Sequence, residues 1–106
     1  MQNYNDFQDF IQKEKNAGVY LSHDECNVCK VLKPKIIQLM DEKFPNIKFV
    51  YINVKETPEI AAQLSVFTVP VFIIYLDGKE MIRKSRNFGL AELESELTRP
   101  YTLLFD

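Results

Sequence analysis

Apolar residues along the chain fall into two repeating patterns, one with helical spacing and one with strand spacing. Asn5-Asp6 precede Phe7, Phe10 and Ile11 on one face, with Gln8, Lys13 and Glu14 elsewhere, which predicts an amphipathic helix ending near Asn16-Ala17-Gly18. Val19-Tyr20-Leu21 is a short apolar run suited to a buried strand, and the polar stretch Ser22-His23-Asp24-Glu25 follows it. A second helix is predicted from about Cys26 to Phe44, with Val28, Leu32, Ile36, Leu39 and Met40 at helical spacing and Pro34 bending it. Pro45-Asn46 breaks that pattern, and the β-branched and aromatic run 47–54 reads as a strand. Thr57 is an N-cap candidate before Pro58 at the first helical position, with Ile60, Ala61 and Leu64 facing the core. Val71-Phe72-Ile73-Ile74-Tyr75 is apolar throughout, as expected of a strand covered on both faces. Asp77-Gly78 predicts a tight turn into an antiparallel return strand over 80–85. Leu90, Leu93 and Leu97 stripe a last helix that Pro100 is expected to terminate.

The order is α-β-α-β-α-β-β-α: crossovers of the parallel type first, then a hairpin. Such an order implies an α/β fold with a central mixed sheet covered by helices on both faces. Open sheets of this kind hold their sites beyond the carboxyl ends of the strands. With 106 residues the expectation is a single domain over 1–106. The net charge of −2, with acids and bases interspersed, offers neither a basic nucleic-acid surface nor a polybasic membrane anchor. No apolar run approaches the roughly 20 residues of a membrane-spanning helix, and the polar Met1–Asp6 segment lacks the regions of a secretory signal. A cytoplasmic location is the resulting expectation.

The candidate chemistry lies in the only two cysteines, Cys26 and Cys29, at the expected junction of strand and helix. Helix positions i and i+3 are about 5–6 Å apart at Cβ, close enough for the two sulfurs to join and part with little backbone movement. A bridge that closes so short a loop gives little stability, so a reversible redox pair suits the spacing better than a staple. Inert packing and metal binding are the alternatives. Two thiolates and His23 make three ligands where structural zinc takes four, so a metal or cluster would have to be shared between two chains.

With the motif so placed, the chain resembles the thioredoxin family over nearly its whole length. Cys26-Asn27-Val28-Cys29-Lys30 stands at the redox position, and Pro34 follows the second cysteine by five residues. Thr68-Val69-Pro70 opens the main strand, Asp77-Gly78 makes the hairpin, and Gly89 precedes the last helix. The resemblance implies a thioredoxin fold and a thiol–disulfide oxidoreductase with Cys26 as nucleophile and Cys29 as resolving thiol. It also implies that Val69 offers its backbone to an extended substrate and that Pro70 is a cis proline packed against the disulfide. No cofactor or metal is expected. The implied partners are disulfide-containing proteins or small thiols, with a separate reductase as electron donor and the chain itself a monomer.

Departures from the family bear on activity. Glu25 stands where members typically have Trp, and Asn27-Val28 where they have Gly-Pro. Tyr20 occupies the position of a buried carboxylate, and Tyr51 that of its lysine partner. Tyrosine titrates near 10 and is a poor base at neutral pH. Slower exchange is therefore expected, and Tyr20→Asp should change the rate; the alternative is that Tyr20 simply fills core volume. The helix N-terminus and Lys30 favour the Cys26 thiolate, while Asp24 and Glu25, if near, oppose it. His23 reads as a solvated loop residue, or as a charge near Cys26. A non-catalytic interaction module is the rival from another class. The apolar tail Tyr101–Asp106 is expected to fold back on its own domain.

Overall fold

The computed structural model describes residues 1–86 and 88–105 and contains four helices and four strands among them. They run α1 (Tyr4–Glu14), β1 (Ala17–Ser22), α2 (Asn27–Lys43), β2 (Lys48–Asn53), α3 (Pro58–Gln63), β3 (Val71–Leu76), β4 (Lys79–Ser85) and α4 (Leu90–Phe105). The strands form one mixed sheet in the order β2-β1-β3-β4, with β1 and β2 parallel and the other neighbours antiparallel. This is the fold the order of elements predicted.

Strand alternation sorts the core into two layers, because successive side chains point to opposite faces. Val19 and Leu21 of β1, with Val71, Ile73 and Tyr75 of β3, meet Phe7 and Ile11 of α1 and Ile60 of α3. Tyr20, Phe72 and Ile74 point the other way, onto Ile36 and Met40 of α2 and Leu93 and Leu97 of α4. All residues of β1 and β3 are buried. Edge strand β4 carries Lys79, Glu80, Arg83 and Lys84, whose charges discourage further strand pairing.

Several boundaries differ from the sequence pattern. Helix α1 stops at Glu14, where Lys15 adopts φ 66°. Ala17 and Gly18 therefore join β1 rather than ending the helix, and an added Cβ at Gly18 would lie 2.7 Å from Cζ of the buried Phe72. Asp77 and Gly78 both have positive φ, 56° and 79°, matching the twist of a two-residue hairpin. Thr57 precedes α3 as expected, yet its hydroxyl donates to the Asn53 carbonyl at 3.0 Å instead of capping the helix.

Pro100 does not end α4, which continues to Phe105. The continuation places Tyr101 edge-on to Phe44 at 5.1 Å and against Phe105 at 4.7 Å. The Tyr101 hydroxyl also accepts the Asn46 N–H at 3.1 Å. Packing of the partly buried Tyr101 and Phe105 rings against the cluster that contains Phe44 thus outweighs one lost helical hydrogen bond. The tail folds back only in part, since Leu103 and Leu104 remain exposed; Asp106 lies outside the described residues.

Candidate functional site

The site begins with how β1 ends. Leu21 is paired with Val71, so the carboxyl end of β1 and the amino end of β3 come together. The loop 23–26 leaves β1 there, and Val69-Pro70 enters β3 there. The Val69–Pro70 peptide is cis, Pro70 is fully buried and Val69 partly so. Cys26 and Val69 both pack against the cluster that contains Cys29. The register of two strands has brought together segments more than forty residues apart.

Cys26 is the N-cap of α2, with extended backbone at φ −88° and ψ 103°. Its Sγ accepts the Cys29 backbone N–H at 3.1 Å, and Cys26 is disulfide-bonded to Cys29 with a Cα separation of 5.2 Å. Cys29 is buried and Cys26 half-buried. The two sulfurs therefore differ in access, the outer one also receiving one of the free N–H groups in the helix's first turn. In the reduced protein the same N–H and the helix dipole favour negative charge on Cys26.

Tyr20 lies beneath this turn. It is fully buried among Phe49, Tyr51 and Phe72, and its hydroxyl donates to the Cys29 carbonyl at 2.9 Å. Burial, with a smaller contribution from Tyr51, pushes its phenol up to about 12. A phenol so held is no base at neutral pH; it is a donor tied to the Cys29 backbone. Tyr51 is the register partner of Tyr20 on β2. Its hydroxyl accepts from Ser22 Oγ at 3.4 Å, and Lys33 Nζ sits 4.1 Å from its ring centroid. Helix α2 thereby supplies a cation to this position.

Glu25 is exposed and ion-paired with Lys55, whose hydrogen bond holds the carboxyl below the usual carboxylate range. The sequence pattern gave no sign of Lys55, which the parallel pairing of β1 and β2 delivers to the motif. Its charge offsets the one that Glu25 would set against a Cys26 thiolate. His23 is half-buried rather than solvated, and its carbonyl accepts the Cys26 N–H at 3.2 Å. Its Nδ1 is buried with no hydrogen-bond partner among the described residues. Among those residues no three His, Cys, Asp or Glu side chains are gathered as a metal site. Lys30 is exposed one residue beyond Cys29, and its N–H donates to the Cys26 carbonyl at 3.2 Å.

Beside the dithiol is an open groove of about 490 Å³ lined by Asn27, Val28, Val31, Leu32 and Lys35 of α2 with Arg86 and Phe88 after β4. Val28 shares the helical spacing of Leu32, Ile36, Leu39 and Met40, but it is 49% exposed and lines this groove. The Arg86 N–H donates to the Pro70 carbonyl at 2.8 Å, which ties the groove wall to the proline. Lys35, Arg86 and Phe88 escaped the sequence reading because only the return of β4 places the last two against α2.

The family model described as Thioredoxin matches residues 1–99. The thioredoxin-like protein YdfQ of Bacillus subtilis is 38% identical over 91% of this chain and 85% of its own length. Thioredoxin-2 of Pyricularia oryzae is 33% identical over 74% of this chain, but the match takes in only 46% of that longer relative. Among solved structures, Fasciola hepatica thioredoxin is similar with a TM-score of 0.79 and 29% identity, covering 92% of this chain and 94% of that one. Thioredoxin 1 of Thermosipho africanus gives 0.74 and 34%, covering 82% and 96%.

Proposed function

Because this chain belongs to the thioredoxin family, we propose that it reduces disulfides of proteins or small molecules, with Cys26 as nucleophile and Cys29 as resolving thiol. The observation that carries this reading is the half-buried Cys26 sulfur at the N-cap of α2, hydrogen-bonded to the Cys29 N–H and bonded to the buried Cys29 sulfur. The Cys26 thiolate attacks one sulfur of a substrate disulfide. A mixed disulfide forms, and the first substrate thiolate leaves and takes up a proton. Cys29, deprotonated, then attacks Cys26 Sγ, forms the intrachain bridge and releases the second substrate thiolate. Two electrons pass to the substrate, and a separate dithiol reductase must return them with two protons. A reducing compartment such as the cytoplasm goes with this cycle.

Val69 and Pro70 form the other wall in this reading, where an extended substrate pairs with the Val69 backbone as an added strand. Tyr20 is a positioning residue, holding the turn from which Cys29 attacks. Glu25 and Lys30 tune the charge felt by Cys26, and Lys55 joins them.

The test is turnover of insulin disulfides with dithiothreitol as reductant. Wild type should exceed the uncatalysed rate, and Cys26→Ser should fall to it. Cys29→Ser should accumulate a mixed disulfide visible by mass spectrometry. A reduced wild-type protein that iodoacetamide labels at neither sulfur, and that gives no turnover, would leave only the interaction-module reading.

A further inference from the structure

The groove beside Cys26 carries its own chemistry, and this inference rests on the oxidoreductase reading of the adjacent dithiol. Its floor is apolar, made by Val28, Val31, Leu32 and Phe88, and its two charged lining residues, Lys35 and Arg86, are both basic. Val28 and Val31 are 49% and 61% exposed, so the apolar surface is open to an incoming chain. Among the described residues neither Lys35 nor Arg86 is in an ion pair, and the one glutamate of the motif is already held by Lys55.

Arg86 is placed there against local preference. Its φ is 44°, in the left-handed region that glycine enters freely and other residues enter at a cost. Its own N–H is anchored to the Pro70 carbonyl, so the residue is fixed where an extended substrate would pass. A strained backbone that carries a cation instead of glycine, at the edge of a reactive site, points to a use for the side chain.

We propose that Lys35 and Arg86 select disulfide substrates that carry a carboxylate side chain within a residue or two of the cystine, next to a bulky apolar side chain. The apolar residue would lie on Val28, Val31 and Phe88, while the carboxylate meets the two cations. Arginine's planar fork suits bidentate contact with a carboxylate.

Three disulfide peptides test the assignment, identical except for Glu, Gln or Lys two residues after the cystine, with Leu between. The measurement is kcat/KM at 20 mM and at 300 mM salt. At low salt the wild type should favour the Glu over the Lys peptide by about tenfold, since each exposed charge pairing changes the rate by roughly two- to fivefold. High salt should shrink that preference toward unity. The double variant Lys35→Glu with Arg86→Glu should reverse the order. Arg86→Gly, which relieves the backbone, should lose about half of the preference on a logarithmic scale and folds without strain at that position. Equal rates for Glu and Lys peptides, or a preference indifferent to salt and to charge reversal, would overturn the assignment while turnover of the Gln peptide leaves the dithiol reading standing. If wild type turns over none of the three, the dithiol reading fails and this one falls with it.

Discussion

Replacing Tyr20 by Phe removes one oxygen from the centre of the molecule and tests whether this residue anchors the redox turn or merely fills space. The ring contacts with Phe49, Tyr51 and Phe72 survive the change, whereas the 2.9 Å hydrogen bond to the Cys29 carbonyl is lost. A buried hydrogen bond of this kind contributes about 1 kcal/mol net, and stranding the carbonyl raises the loss to about 1–2 kcal/mol. For a domain of this size that is a fall in melting temperature of roughly 5–10 °C. The same hydroxyl should mark the alkaline limb of stability. Its folded titration near 12 lies above the unfolded value near 10, so its contribution is complete below pH 10 and is lost as pH rises toward 12. By pH 11 that loss is about 1 kcal/mol, from a titration gap whose full worth is about 3 kcal/mol. Urea unfolding of the oxidised wild type and Tyr20→Phe, at pH 7 and at pH 11, gives all four values. The gap between the proteins should be about 1–2 kcal/mol at pH 7 and should narrow at pH 11. A variant as stable as wild type at both pH values refutes the anchor and leaves Tyr20 as core volume.

The remaining predictions concern other joints of the fold and site. Gly18→Ala sets a methyl 2.7 Å from Phe72 Cζ in a packed interior, and urea titration should register a loss of about 1–3 kcal/mol. Tyr101→Ala removes the ring between Phe44 and Phe105 and should cost about 2–4 kcal/mol in the same assay; a neutral result would mean that the extension of α4 past Pro100 is not held by burial. Lys55→Met frees the Glu25 carboxylate near the motif. The pH midpoint for iodoacetamide alkylation of reduced Cys26 should then rise by roughly a few tenths of a unit, and an unchanged or lower midpoint would contradict the compensation argued for this pair. Tyr20→Asp buries an unpartnered carboxyl under Cys29, so it should lower stability more than Tyr20→Phe by the same urea measurement.

The repeats of two and 3.6 residues were enough to order the eight elements, and a local rule explains each success. Apolar alternation and unbroken apolar runs report burial of neighbouring residues, and Asp77-Gly78 reports a turn by its own backbone freedom. The cysteine pair was legible for the same reason, since four consecutive residues at a helix start determine their own geometry. What stayed out of reach depends on partners distant in sequence. Pro100 reads as a stop because propensity is local, yet Tyr101 and Phe105 find Phe44 across the molecule and the helix goes on. Val28 shares the helical spacing of Leu32, Ile36 and Met40, but the sheet and α4 cover the face of α2 that carries Cys29, Ile36 and Met40, and Val28 is left in the open groove. The Glu25–Lys55 pair, the Tyr20 bond to the Cys29 carbonyl and the meeting of Arg86 with Lys35 arise from strand register and crossover. A linear pattern carries how each residue prefers to bend and whether it avoids water. Only the closed sheet decides which of those residues meet, because the free energy of a contact belongs to both partners at once.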